Sequence, residues 1–220
     1  MNALTQNEDT SMFRAADQAY LVIENLIVTL ALQPGAPIIE AELIAMTGFG
    51  RTPLREALLR MSSNGLVEQM PRRGLIVSDI DIHDHMSVIE TRRALEELIV
   101  KSAARRGTPE HQKAAITHAE KMLEAANIGD LKGFMAADQS FDRVIHSACR
   151  NRSVVVAVTP LIIKCRRFWY AFQHKGDVIT AAQCHLAVAT AIAQSDEKSA
   201  IVAVNSLMDY LEAFVRQVGH

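Results

Sequence analysis

Five arginines lie between Arg51 and Arg73, namely Arg51, Arg55, Arg60, Arg72 and Arg73, against only Glu56 and Glu68. The chain as a whole nearly balances, with 23 Lys+Arg and 25 Asp+Glu. A local excess of positive charge in a balanced chain suits an anionic partner met at one place, and the competing account is a solvated arginine face on a surface helix. The run Arg51-Thr52-Pro53-Leu54-Arg55-Glu56-Ala57-Leu58 has helical period. Arg51 and Arg55 share one face, Pro53 sits in the first turn where its missing N–H does no harm, and Leu54, Ala57 and Leu58 turn the other way. A guanidinium can bridge O6 and N7 of a guanine, and a threonine hydroxyl can bond a phosphate or a base. Pro71-Arg72-Arg73-Gly74 adds two more cations at a turn.

The second half carries polar residues on otherwise apolar helical stripes. Arg92 lies with Ile89 and Ile99, and Glu96 follows it by one turn. Asp138 interrupts the series Leu131, Phe134, Phe141, Ile145 and Ala148, with Asp142 and His146 at the next two turns; His185 shares a face with Ala181, Val188 and Ile192. Buried ionic groups are costly unless paired or bound to something, so convergence of these residues would make a site. His83, His85, His111, His118, His174 and His220 read as exposed. Phe168, Trp169, Tyr170 and Phe172, and the helical methionines Met86, Met122, Met135 and Met208, read as core packing or, for the aromatics, a dimer seam.

The elements that must position these residues are mainly helical. The spacing predicts a helix from about 13 to 32 ended by Pro34-Gly35, a short helix over 39–46, the turn Thr47-Gly48-Phe49-Gly50, and a second helix over 51–63. Two brief strands, 66–70 and 75–77, enclose the basic turn. This is a winged helix-turn-helix, in which the second helix enters the major groove and the wing reaches the minor groove or backbone. Beyond 81 every long segment has helical period, giving six helices at about 82–106, 108–127, 131–149, 152–173, 179–194 and 196–217. The fold class is therefore mainly α. An N-terminal winged helix-turn-helix with a two-stranded wing, over 10–78, precedes an all-α six-helix bundle over 79–220.

Composition excludes several classes. With 220 residues, 49% hydrophobic and 22% charged, at a formal charge of -2, the chain is a folded globular protein and not a uniformly basic nucleic-acid coat. Its longest apolar run, about 153–163, is broken by Pro160 and is well short of the ~20 residues a membrane span needs. The N-terminus lacks the basic and apolar stretches of an export signal. Cys149, Cys165 and Cys184 form no CxxC pair and fit reduced thiols, so a cytoplasmic location is expected.

The N-terminal residues resemble the GntR family of bacterial transcription regulators over about 14–78. The resemblance rests on Pro34-Gly35, Arg51-Thr52-Pro53-Leu54-Arg55-Glu56-Ala57-Leu58, Asn64-Gly65-Leu66-Val67 and Pro71-Arg72-Arg73-Gly74 through Val77. It implies that Arg51, Thr52 and Arg55 contact operator DNA from the recognition helix, and Arg72, Arg73 and Gly74 from the wing. Gly50 departs from the family's usual serine; glycine is a weaker N-cap by a few tenths of a kcal/mol.

Residues 82–217 resemble the ligand-sensing FCD domain of the FadR subfamily. The carrying residues are Glu90-Thr91-Arg92-Arg93-Ala94-Leu95-Glu96, Asp138 with Phe141 and Asn151, His185 with Ala191-Ile192, and Asp196 to Ala200. Many members hold a divalent metal with one Asp and three His, and the metal helps to bind a carboxylate effector. Here Asp138 and His185 match, Asp142 stands in place of a histidine, and the last position falls at Leu207, which cannot ligate. Three readings follow. Asp138, Asp142 and His185, with His146, hold one harder divalent metal ion such as Mn²⁺ or Mg²⁺. Alternatively Arg92 clamps a small organic-acid effector directly with its bidentate fork, beside Asp138, Asp142, His146 and His185. In the third, the network is inert, with Arg92 paired to Glu96 or an aspartate and His185 satisfied in the core.

The expected function is a DNA-binding transcription regulator, a repressor acting as a homodimer on operator DNA, whose affinity changes when a small carboxylate occupies the helical domain. It is expected not to be an enzyme and to have no membrane partner. The alternative is a metal-dependent hydrolase of the helical bundle built on Asp138, Asp142 and His185.

Overall fold

The computed structural model describes residues 3–219, with side chains from residue 14 onward. The described residues divide into two compact units, those up to 81 with 166–171, and 82–165 with those from 172 onward.

In the first unit α1 (Ala3–Val28) buries Ala16, Ala19, Tyr20, Ile23 and Ile27 at helical spacing, and packs on α3 (Arg51–Ser63). The helix begins ahead of the expected 13 and stops short of the expected 32. Leu30 takes a left-handed φ of 58°, and the Leu32 N–H turns back to the Leu26 carbonyl at 2.9 Å. Five residues, 29–33, therefore lie outside the helix before Pro34-Gly35 is reached. Between these helices lies α2 (Glu40–Thr47), closed by Gly48 at φ 73°, whose N–H bonds the Ile44 carbonyl at 2.9 Å. That conformation favours glycine because it has no Cβ to clash.

α3 buries Leu54, Ala57, Leu58 and Met61 and is tied to α1 by polar contacts. Arg60 donates to Asp17 at 2.6 Å and lies 4.6 Å above the Tyr20 ring, while the Asn64 amide donates to the Tyr20 hydroxyl at 2.9 Å. Strands β1 (Val67–Met70) and β2 (Gly74–Val77) pair antiparallel, Val67 opposite Val77 and Met70 opposite Gly74. A third segment flanks β2. Ile38 donates to Leu75 at 2.8 Å, Val77 to Ala36 at 2.9 Å and Gly35 to Val77 at 2.9 Å. Within the same unit Arg167 is buried and donates to the Ser78 carbonyl at 2.5 Å and the Ser78 hydroxyl at 3.2 Å.

The second unit consists of α4 (Ile82–Arg106), α5 (Pro109–Ile128), α6 (Leu131–Cys149), α7 (Arg152–Phe172), a short 3-10 turn over Gln173–Lys175, α8 (Val178–Ala193) and α9 (Glu197–Val218). Residues 166–171 of α7 fall in the first unit. α4 packs against α6, α8 and α9, while α5 packs on α6 and α8. The helix starts follow from local chemistry. Thr108 forms a capping box with His111, and Asp130, Asn151, Asp177 and Asp196 each accept from a first-turn N–H. Arg93 joins α4 to α9, donating to Asn205 and Asp209 at 2.8 Å and to Glu212 at 2.7 Å. The expected winged helix-turn-helix and helical bundle are thus both present. Among the described residues, no helix is long and apolar enough to cross a membrane.

Candidate functional site

α3 separates its two faces completely. Leu54, Ala57 and Leu58 are at most 2% exposed, whereas Arg51, Thr52 and Arg55 are exposed on the opposite side. Gly50 caps the helix start with extended backbone (φ -68°, ψ 166°) and no side-chain hydrogen bond. Arg51 and Thr52 therefore project from a helix end whose N–H groups are open to an anion. Leu59, 70% exposed, continues the line of Arg51 and Arg55 by one turn. Arg60 does not join this face, because its charge is taken by Asp17 and Tyr20.

Arg55 is not an isolated cation. Its Nε–H donates to both oxygens of Glu40, at 2.8 and 3.0 Å. The hydrogen bond from Arg55 holds the Glu40 carboxyl below its ordinary range, with the charges of Arg55 and Arg51 adding to it. Glu40 is a site residue without a local signal in the sequence, since it meets Arg55 only after the chain turns at Gly48.

At the wing, Pro71, Arg72, Arg73 and Gly74 are all exposed. The Arg73 N–H bonds the Met70 carbonyl at 3.2 Å, closing a turn with Pro71 and Arg72 at its centre. Arg72 adopts φ 65° and Gly74 φ 76°. The left-handed region suits Gly74 and strains Arg72.

In the helical unit most of the expected polar residues come together. On α4, Arg92 and Glu96 are buried and paired, Nε to Oε1 at 2.9 Å. Burial alone would lower the Arg92 pKa, but the negative charges of Glu96 and Asp142, with the hydrogen bond to Glu96, more than offset it and the guanidinium stays charged. On α8, His185 donates from Nδ1 to the Ala181 carbonyl at 2.8 Å, turns Nε2 toward Asp138 at 3.3 Å, and meets the Phe141 ring edge-on at 5.5 Å. Burial opposes its protonation, yet the hydrogen bond and charge of Asp138, with Ala181 and Asp142, raise its pKa above the usual value. Asp142 acts electrostatically on both Arg92 and His185, so it links the two pairs. His146 is half-buried further along α6, and no hydrogen bond or ion pair joins its side chain to the other four.

His85 corrects an expectation. Only His83 and His174 of the set read as exposed are fully so; His111 and His118 are half-buried, His85 is buried, and His220 lies outside the described residues. Burial, with the charges of Arg92 and Lys164, pushes the His85 pKa down to about 4. It belongs to the charged cluster as a neutral neighbour of Arg92. The signal was its place one turn before Val88 and Ile89 on the Arg92 stripe. Among the aromatics, Phe168 and Trp169 are buried as expected, and Met122, Met135 and Met208 fill core, while Met86 is half-buried.

The donors expected for a metal do not fit one. Nε2 of His185 is directed at Asp138, the cluster already contains a guanidinium cation, and among the described residues no three His, Cys, Asp or Glu side chains converge as a cage. What the cluster offers instead is one buried cation and several hydrogen-bond acceptors.

Comparison with known proteins follows the same division. The FCD domain model matches residues 87–210, more than half of the chain, and the model of bacterial regulatory proteins of the gntR family matches residues 15–77. A probable D-xylose utilization operon transcriptional repressor of Paenarthrobacter nicotinovorans is 27% identical over 84% of this chain and 80% of its own length. The transcriptional repressor RspR of Escherichia coli is 24% identical over 91% and 89%. An HTH-type regulator of Agrobacterium vitis is 32% identical over 58% and 76%. Among solved structures, Escherichia coli McbR/YncC superposes with a TM-score of 0.82 at 19% identity, covering 94% of this chain and 99% of that one, a likeness of fold. These relatives are transcription regulators and lend the hydrolase alternative no support. The chain belongs to the GntR family of bacterial transcription regulators, in the group whose second domain is an FCD domain.

Proposed function

We propose that residues 10–78 read a pseudo-palindromic operator as one half of a homodimer, with α3 in the major groove and the wing on the adjoining backbone or minor groove. Arg51, Thr52 and Arg55 make the base and phosphate contacts, Arg72 and Arg73 add phosphate or minor-groove contacts, and Gly74 permits close approach. One observation carries this reading, the sharp division of α3 into a buried apolar face and an exposed face bearing Arg51, Thr52 and Arg55. The protein acts in the cytoplasm as a repressor, a sign supported by relatives described as repressors.

Residues 79–220 sense a small organic acid and dimerise. Its carboxylate pairs with Arg92 in competition with Glu96, and its hydroxyl or amino donors are accepted by Asp138 and Asp142, with His185 and His146 completing the site. Arg92, rather than a metal ion, takes the carboxylate. The acid must favour one state of the protein over the other, and a 100-fold change in operator affinity requires about 2.7 kcal/mol of such preference.

The test begins with selection of an operator from random duplexes by the purified protein, followed by titration of Arg51→Ala and Arg55→Ala. Loss of preference with the fold intact supports the assignment; retained preference in both variants refutes it. Elemental analysis and a thermal-shift screen of small carboxylates, with and without chelator, test the second half. Stabilisation by an acid in metal-free protein that disappears in Arg92→Lys is expected. Shifts abolished by chelation overturn the metal-free reading.

A further inference from the structure

We infer that Glu40 is the specificity-determining positioning residue of the DNA interface, holding the Arg55 guanidinium by its Nε edge so that its Nη1/Nη2 edge is the one presented to a base. The inference rests on the reading that α3 enters the major groove.

Three observations carry it. First, both oxygens of Glu40 accept from the same Arg55 nitrogen, Nε, at 2.8 and 3.0 Å, and no hydrogen bond reaches Nη1 or Nη2 among the described residues. An arginine can meet the O6 and N7 of guanine end-on through its two Nη groups or side-on through Nε and one Nη. Occupying Nε removes the second mode and leaves a fork of fixed orientation. Second, the anchor comes from another element. Glu40 is the first residue of α2, where a carboxylate is favoured by the helix dipole, and Arg55 lies in the second turn of α3, so the pair joins the two helices of the helix-turn-helix. Third, both partners are accessible, the Arg55 side chain at 62% and that of Glu40 at 32%. An exposed ion pair contributes little to folding. Its position on the DNA-facing side gives it a different use.

That use is discrimination. An untethered Arg55 on its long stem would swing to the nearest phosphate of any duplex, a contact without sequence information. A carboxylate beside it repels phosphates and cancels its charge until a base replaces the lost freedom with two aligned acceptors. Glu40 therefore weakens binding to all DNA and weakens it least where the correct base stands opposite Arg55.

The experiment uses the full-length protein, the duplex it selects from a random pool, and a scrambled duplex of the same composition, both fluorescently labelled and titrated over a salt series. Glu40→Ala is expected to bind the scrambled duplex more tightly, to lose ~10-fold or more of the selected-to-scrambled ratio, and to steepen the salt dependence by about one unit. Glu40→Gln keeps an acceptor for Nε without the charge; it should recover most of the ratio and keep the steeper slope. In an Arg55→Ala background, Glu40→Ala should leave the ratio unchanged. Equal weakening on both duplexes with an unchanged slope, or the same loss of ratio in the Arg55→Ala background, would overturn the inference. Should Glu40→Ala melt below the assay temperature, an unchanged slope in Glu40→Gln overturns it by itself. Failure of the wild type to select any duplex would instead strike the DNA-binding reading.

Discussion

The two candidate sites of this chain treat their arginines in opposite ways. In the first, Arg51, Arg55, Arg72 and Arg73 stand in solvent, and the one pairing among them, Arg55 with Glu40, leaves most of the side chain open. In the second, Arg92 is buried with Glu96 and within the field of Asp142. An exposed cation costs little to maintain and can wait for a polyanion. A buried cation must be compensated at all times, so any anionic guest has to displace a carboxylate already present. The first arrangement suits rapid, salt-sensitive association, and the second suits a selective exchange of partners.

The largest effect should come from the buried side of this contrast. Arg92→Leu strands Glu96 and Asp142 without their cation and should cost about 3–5 kcal/mol in chemical denaturation. Removing Glu96 at the same time, in Arg92→Leu/Glu96→Leu, should recover much of the loss. A cost near zero in the single variant would erase the distinction between the two sites. On the exposed side, Arg55→Ala should lose about 1–3 kcal/mol of operator binding and leave folding stability within about 0.5 kcal/mol. Calorimetry paired with DNA titration measures both, and a comparable loss of stability would break the comparison.

The pH response sharpens it further. His185 has a folded pKa raised above 6.5, so its pairing with Asp138 stabilises fully below about 6.5 and fades as pH rises through the folded value. His85 runs the other way. Its folded value of about 4 means that the unfolded chain takes up the proton first, and stability falls as pH drops from 6.5 toward 4. Melting curves of wild type and Asp138→Asn should diverge below the raised value, with Asp138→Asn losing the His185 contribution; parallel curves would remove His185 from the account. Arg72→Gly should stabilise by about 0.5–1 kcal/mol by relieving a left-handed backbone, while weakening DNA binding evenly across sequences and reducing the salt slope by about one. The smallest effect is expected from Gly50→Ser, where a side-chain cap adds a few tenths of a kcal/mol to α3, visible only as a slight rise in melting temperature.

Where the sequence carries its own punctuation, it can be read directly. The helices of the second unit begin within a residue or two of expectation because Thr108, Asp130, Asn151, Asp177 and Asp196 each mark a start with a side-chain cap. The recognition face was equally open to reading, since the Arg51 and Arg55 spacing is local. The end of α1 was not, because Leu30 adopts a left-handed conformation that its residue type does not announce. Nor was Glu40, whose contact with Arg55 depends on the turn between two helices. His85, expected to be exposed, is buried, and the stripe to Val88, Ile89 and Arg92 marks it as inward. Asp138 and His185 were expected together and are, but as a pair with each other, because the Nδ1–H bond to Ala181 orients the ring with Nε2 toward the carboxylate.

The segment 35–38, lying against β2, bears on how the wing comes into being. A two-stranded hairpin of four-residue strands is marginal in water by itself, and here β2 gains backbone partners on both edges. The third partner is made before α2 and α3 emerge in synthesis and must wait for them to pass before it can pair. A fragment starting at α2 would retain the helix-turn-helix sequence while leaving one edge of β2 without its backbone partner.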